Sequence, residues 1–188
     1  MVLFWRGFPK NSTLCSWYGR ISSDKKKVLF FEPSAAEKVV QTIVSADGAP
    51  IQAFAVGEGR RKDGSLDPLV AIFTPEFRAQ PAKVRVFRYP NFEPNDCLVA
   101  KSFFKAEEAR LHWSDSAGSL VVLASTAIDK SGQSYYGATQ LHHLCTKGRF
   151  AGEAAMVPLS PGPVYDIAWE PNKDNFCVVY FYISKNKI

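Results

Sequence analysis

Three histidines and four cysteines are the residues best suited to metal or nucleophilic chemistry in this sequence, and their spacing decides against both. His142 and His143 are neighbours in the run TQLHHLCT. Neighbouring side chains of a strand point to opposite faces, so these two cannot close on one metal ion in the usual way. His142 and Cys145 lie three positions apart and fall on opposite faces for the same reason. Cys15, Cys97, Cys145 and Cys177 are separated by 82, 48 and 32 residues, with no Cys-x-x-Cys pair. That spacing suggests neither a zinc site nor a disulfide framework, and fits reduced, buried thiols of a cytosolic protein. No Gly-x-Ser-x-Gly, His-Glu-x-x-His or phosphate-loop pattern occurs. The segment GEGRRKDG at 57–64 lacks dinucleotide-binding spacing and reads as an exposed loop between strands. The expectation is a non-enzyme with no cofactor and no metal.

Cations are the other chemically capable group. They cluster at Lys25–Lys27, Arg60–Lys62, Lys83/Arg85/Arg88, Lys101/Lys105 and Lys147/Arg149. Borne on loops, such clusters contact RNA phosphates. The plainer reading, which these residue types favour, is solvated turns and lysines that discourage edge pairing. Lys83, Arg85, Phe87 and Tyr89 alternate opposite Val84 and Val86, a face suited to stacking on RNA or to plain solubility. The connection 127–138, AIDKSGQSYYGA, is long for a turn, and its adjacent tyrosines suit stacking, a partner contact or anchoring of the loop itself. The candidate contact residues are Arg60, Arg61, Lys62, Lys101, Lys105, Lys130, Tyr135 and Tyr136.

The elements that must position these residues are nearly all strands. Runs rich in Val, Ile, Phe, Tyr, Trp and Thr, broken by Gly, Pro, Asp, Asn and Ser, recur from 15–21 through 176–183. Only 34–40 and 105–110 are helix-friendly, and both are too short to hold a helix. ARLHWSDSAGSLVVL at 109–123 and VYDIAWEPNKDNFCVV at 164–179 repeat one design: a Trp-ended strand, a polar turn and a continuous apolar strand. In the first copy Ala109, Leu111 and Trp113 share a face, and in the second Tyr165, Ile167 and Trp169 do. A weaker copy occupies 17–31. Four strands fit between the two tryptophans, which is the pattern of a β-propeller blade. The fold expected is all-β, a WD-like β-propeller fragment of about three to four blades over 15–44, 50–104, 108–159 and an incomplete 164–188.

With 188 residues, 46% hydrophobic and 22% charged, the composition is that of a globular protein. The net charge of +5 permits an RNA partner without demanding one. No apolar run is long enough to span a membrane, and MVLFWRGFPK does not read as a signal peptide. A ring needs about four to eight blades, so the chain reads as a piece of a longer protein that alone would be poorly soluble or oligomeric.

Val84–Trp113, VRVFRYPNFEPNDCLVAKSFFKAEEARLHW, resembles the central propeller of the eukaryotic translation initiation factor 2A family, through YPNF, KSFFKA and the Trp-ended strand. Leu120–Leu144 matches its AST, DK, SYYG and Leu-His elements in order, and Pro161–Tyr180 its Gly-Pro-Val-Tyr-Asp and Phe-Cys-x-Val-Tyr strands. The first 80 residues match loosely, through Leu14–Cys15 and VLFFE. The related propeller subunit of the multi-subunit initiation factor is the other candidate, and SYYG with KSFFKA favours the first. The resemblance implies a cytoplasmic, non-catalytic factor that helps deliver initiator methionyl-tRNA to the small ribosomal subunit without GTP. Its implied partners are that subunit, initiator tRNA, mRNA and other initiation factors, with no membrane. The chain resembles the middle of the family's propeller, without its basic C-terminal region. The alternative from the residues alone is a propeller scaffold for protein–protein contacts with no RNA role, or a piece with no independent activity.

Overall fold

The structure is a computed structural model that describes residues 2–3, 18–31, 38–45, 48–126, 139–159 and 162–180. It divides into two compact units, Met1–Ile51 and Gln52–Ile188, each taken by itself below.

In the first unit, β1 (Val2–Leu3), β2 (Tyr18–Ile21), β3 (Lys27–Phe31) and β4 (Val39–Val44) form one sheet in that order. The sequence reading starts this sheet at residue 15. The added strand β1 pairs only Val2 with Arg20 and Leu3 with Gly19, too short a stretch for alternation to reveal. The Lys25–Lys27 cluster spans the β2–β3 turn and the first residue of β3. Ser22 donates to Asp24 Oδ1 (2.5 Å), which also accepts from the Lys26 N–H (3.1 Å), and the Lys27 N–H reaches Ser22 Oγ (3.0 Å). These bonds hold Lys25 at φ 57°, so this basic run is a turn built from its own polar side chains.

The second unit stacks three antiparallel sheets. β5 (Ala53–Gly57), β6 (Leu69–Thr74), β7 (Ala82–Arg88) and β8 (Cys97–Phe103) make one four-stranded meander. β9 (Glu108–Trp113), β10 (Ser119–Ser125), β11 (Thr139–Cys145) and β12 (Ala154–Val157) make the next. β13 (Val164–Trp169) and β14 (Phe176–Tyr180) pair as a hairpin. Residues 105–110, read as helix-friendly, form a turn running into β9.

Burial explains the sequence pattern. The second strands, β6 and β10, lie between two neighbours and are covered on both faces, hence the continuous runs LVAIF and LVVLA. Leu120, Val122 and Ala124 meet Leu69, Ala71, Phe73, Val84, Val86, Val99 and Phe103 of the preceding sheet. Val121 and Leu123 turn the other way and pack with Leu141 of β11 and with Val164 and Ile167 of the hairpin. Sheets stacked face to face through two-sided central strands, with their first strands side by side, are blades of a β-propeller.

The Trp repeat ties the blades together. Trp113 donates its indole N–H to the Ala55 carbonyl (3.2 Å), and Trp169 donates its own to the His112 carbonyl (3.1 Å). Each tryptophan therefore reaches the first strand of the preceding blade. In the β5–β8 sheet the corresponding last pair is Gly57 with Leu69, against Trp113 with Leu120 and Trp169 with Phe176. A Cβ on Gly57 would lie 2.7 Å from the Trp113 ring and 2.8 Å from Ala117 Cβ. Gly57→Ala should therefore lower stability by about 1–3 kcal/mol through overpacking. Denaturant midpoints test this, and an unchanged midpoint would sink the close-packing account.

A register shift on β13 and the burial of one face of β7 correct the sequence reading. β13 bulges between Val164 and Asp166, leaving Tyr165 as the extra residue. Val164 and Ile167 are buried while Tyr165 is 56% exposed, so Tyr165 does not share the face of Ile167 and Trp169. On β7 the alternation itself holds, since the register shift opposite Val86 and Phe87 leaves Leu98 of β8 as the extra residue. There Arg85 and Phe87 are 8% and 2% exposed, so the Lys83–Tyr89 face is not open for stacking.

Candidate nucleic-acid interface

The cations Arg60, Arg61 and Lys62 stand on the β5–β6 loop, a small structure in its own right. The Asp67 N–H donates to the Gly59 carbonyl (2.7 Å), and the Arg61 N–H to the Ser65 carbonyl (2.9 Å). A Cβ on Gly59 would fall 2.1 Å from the Asp67 carbonyl oxygen, so only glycine lets the two arms close. Ser65 donates from both its N–H and its hydroxyl to Asp63 Oδ1 (2.9 and 2.6 Å). The hydroxyl bond, with the backbone bond behind it, holds the Asp63 carboxyl below its usual range. Buried Asp67 receives Arg88 Nε at 3.1 Å and Arg61 Nε at 3.7 Å. From the next blade Lys147 donates to the carbonyls of Arg60 (3.2 Å) and Ser116 (2.9 Å).

The three candidates differ in what they are free to do. Arg60 bonds the Gly64 carbonyl through Nη1 (3.2 Å), and Arg61 faces Asp67. Lys62 is exposed at the tip of the loop. The loop thus presents cations from a backbone already fixed, which removes ordering entropy from any anion contact.

Of the remaining candidates, Lys101 and Lys105 do not join this loop. Successive strands run antiparallel, so the connections after β5 and β7 lie at one end of the sheet and those after β6 and β8 at the other. Lys105, in the β8–β9 turn, is therefore at the opposite end from Arg60–Lys62. Lys101 is half-buried within β8. Lys130, Tyr135 and Tyr136 lie outside the described residues. Sequence reasoning missed Arg78, in the tight β6–β7 turn near Lys105. Both central residues of that turn, Arg78 and Ala79, are left-handed (φ 48° and 63°) without the Asn-Gly pair that would announce it.

The histidines are placed for packing; of the cysteines, Cys97 and Cys145 are half-buried, Cys177 is exposed rather than buried as expected, and Cys15 lies outside the described residues. His142 packs edge-on against Phe103 (4.7 Å), whereas His143 stacks on Phe176 (5.7 Å, 25°), so the pair does face opposite ways. Cys145 Sγ lies 3.7 Å from His143 Nδ1. Burial first, then Glu153 and Asp174, pushes this thiol up, which disfavours the thiolate a nucleophile needs. Among the described residues no group of three or more His, Cys, Asp or Glu could hold a metal ion, and no helix is long and apolar enough to cross a membrane.

Comparison with known proteins agrees with this architecture. A crystal structure of a eukaryotic initiation factor superposes with a TM-score of 0.63 at 24% identity, covering 93% of this chain and 39% of that one. At that identity the likeness is one of fold. Eukaryotic translation initiation factor 2A of Schizosaccharomyces pombe is 40% identical over 115 residues, 61% of this chain and 19% of that protein. Its namesake in Drosophila melanogaster is 36% identical over 121 residues, 64% of this chain and 18% of that protein. The Saccharomyces cerevisiae protein of the same name is 32% identical over 119 residues. The chain thus spans under a fifth of the length of these relatives. The family model described as eukaryotic translation initiation factor eIF2A matches residues 101–188, a stretch that holds KSFFKA, SYYG and the Trp169 strand. Family model, relatives and blade architecture together support kinship of this chain with the eukaryotic translation initiation factor 2A family.

Proposed function

We propose that the chain forms part of a non-catalytic, cytoplasmic translation initiation factor that docks on the small ribosomal subunit and assists delivery of initiator methionyl-tRNA. Its partners on this reading are the subunit, initiator tRNA, mRNA and other initiation factors. The observation that supports docking is the pre-fixed β5–β6 loop, whose backbone is tied by Asp67, Gly59 and Lys147 while Lys62 is presented outward. Cations on a fixed loop suit phosphates of folded RNA, which themselves sit at fixed positions.

Co-sedimentation of the full-length factor with purified small subunits tests this reading. Binding should weaken with salt, because cations that meet phosphates release counterions. Lys62→Glu should cost about three- to tenfold in affinity at low salt and flatten the log–log salt slope by about 0.7–0.9. Failure to co-sediment at low salt would overturn the proposal. Salt-insensitive binding that tolerates Lys62→Glu would assign the propeller to protein–protein contacts instead.

A further inference from the structure

At the end of the β5–β8 sheet opposite Arg60–Lys62, a groove is lined by Glu76, Phe77, Arg78, Gln80, Pro81 and Phe104. Phe104 is 74% exposed, the highest value among the exposed large hydrophobic residues described. It is nevertheless held in place. Its carbonyl accepts from Gln140 Nε2 (3.2 Å), and the N–H of the next residue, Lys105, donates to the Glu76 carboxylate. Lys105 is itself left-handed, at φ 56°.

Across the groove the β6–β7 turn is closed by reciprocal bonds between Phe77 and Gln80 (3.1 and 2.9 Å). Arg78 and Ala79 between them adopt the left-handed conformation that strongly favours Asn and Gly. The guanidinium of Arg78 lies 5.0 Å from the Phe77 ring centre, over its face. Of the six non-glycine residues with positive φ among those described, Arg78 and Ala79 line this groove and Lys105 directly follows the exposed Phe104 ring. Backbone strain of this kind persists where it positions side chains for a ligand.

We propose that this groove takes an unpaired base of single-stranded RNA, stacked on Phe104, with Arg78 and Lys105 facing the adjoining phosphates. The inference deepens the reading of the chain as an RNA-facing initiation factor and rests on it. Two features favour a nucleotide over a protein segment. The apolar lining is limited to two phenyl rings, Ala79 and Pro81 beside charged groups, whereas a protein anchor is enclosed by a water-excluding rim. Stacking on one ring face with a cation at hand is how sequence-tolerant single-strand binders hold a base. The acid in the lining, Glu76, is occupied by the Lys105 N–H, and the two cations beside it complement phosphate.

The test uses the full-length factor and an unstructured, fluorescently labelled adenylate-rich RNA oligomer. Phe104→Ala should weaken RNA binding about tenfold with an unchanged thermal melt, while Phe104→Trp should retain it. Arg78→Gly removes the cation and relieves the turn, so it should weaken binding about threefold while raising the melting temperature. RNA affinity unchanged in Phe104→Ala would overturn the proposal. If co-sedimentation with small subunits then fell in that variant, the groove would be a protein contact. If only Lys62→Glu lost binding, the loop reading would stand without the groove. RNA binding lost in Phe104→Ala, with no co-sedimentation of the wild type at low salt, would support the groove and overturn the ribosomal reading.

Discussion

Truncation of Trp113 to alanine should destabilise the second unit by about 3–5 kcal/mol, the range for removing a large aromatic from a packed site. The indole packs against the cluster formed by the β5–β8 and β9–β12 sheets, and its ring fills the space that Gly57 leaves open. Truncation also leaves the Ala55 carbonyl without the indole N–H that bonds it at 3.2 Å. Trp113→Phe separates the two losses. It keeps a ring in the site and forfeits the hydrogen bond, so it should cost about 1 kcal/mol from that bond, plus whatever the smaller ring fails to fill. Gly57→Ala and Trp113→Ala should be less than additive, because the added methyl clashes with the ring that the second change removes. Denaturant melts of the single and double variants measure all three values. A loss below about 1 kcal/mol for Trp113→Ala would show that the indole is not the tie between blades.

The strands were legible in the sequence because burial writes itself into residue type. SLVVL reads as a continuous apolar strand, and the structure covers it, like LVAIF, on both faces. The 56-residue spacing of Trp113 and Trp169 was legible for the same reason, since each blade needs the same tie to its predecessor. Faces were harder to read. Alternation assigns Arg85 and Phe87 to an outer surface, but both are buried, and their residue types do not announce it. A one-residue bulge then moves Tyr165 out of step with Ile167, and nothing in VYDIAW marks it. The candidate site suffered most. The clusters Arg60–Lys62 and Lys101/Lys105 look alike as sequence, yet antiparallel strands send the first and Lys105 to opposite ends of one sheet. Arg78 stayed hidden because its turn uses Arg-Ala where Asn-Gly would have shown it.

Acidification should remove about 3 kcal/mol of stability through His142 alone as the pH falls from 6.5 to about 4. His142 is 4% exposed, packed against Phe103, and its Nδ1 is buried without a hydrogen-bond partner. Burial first, and then the charge of Lys101, pushes its pKa from 6.5 down to about 4. In that window the unfolded chain binds a proton at His142 and the folded chain does not, so unfolding takes up a proton and acid drives it. Above pH 6.5 both states are neutral at this site and the slope vanishes; below about 4 both are protonated and the loss is complete. His143 and His112 are also lowered mainly by burial and add to the trend in the same direction. His142→Leu isolates the largest of these shifts. It should fold with stability within about 1 kcal/mol of the wild type at neutral pH, since it exchanges a buried ring with an unpartnered nitrogen for an apolar side chain. Its acid limb should be shallower by the His142 share, while the contributions of carboxylates and the other histidines cancel in the comparison. Lys101→Gln should reduce the loss by less, because the ammonium is the smaller of the two causes. Acid limbs that coincide for the wild type and His142→Leu would mean that water reaches this imidazole and that the interface between the β5–β8 and β9–β12 sheets is wet at His142.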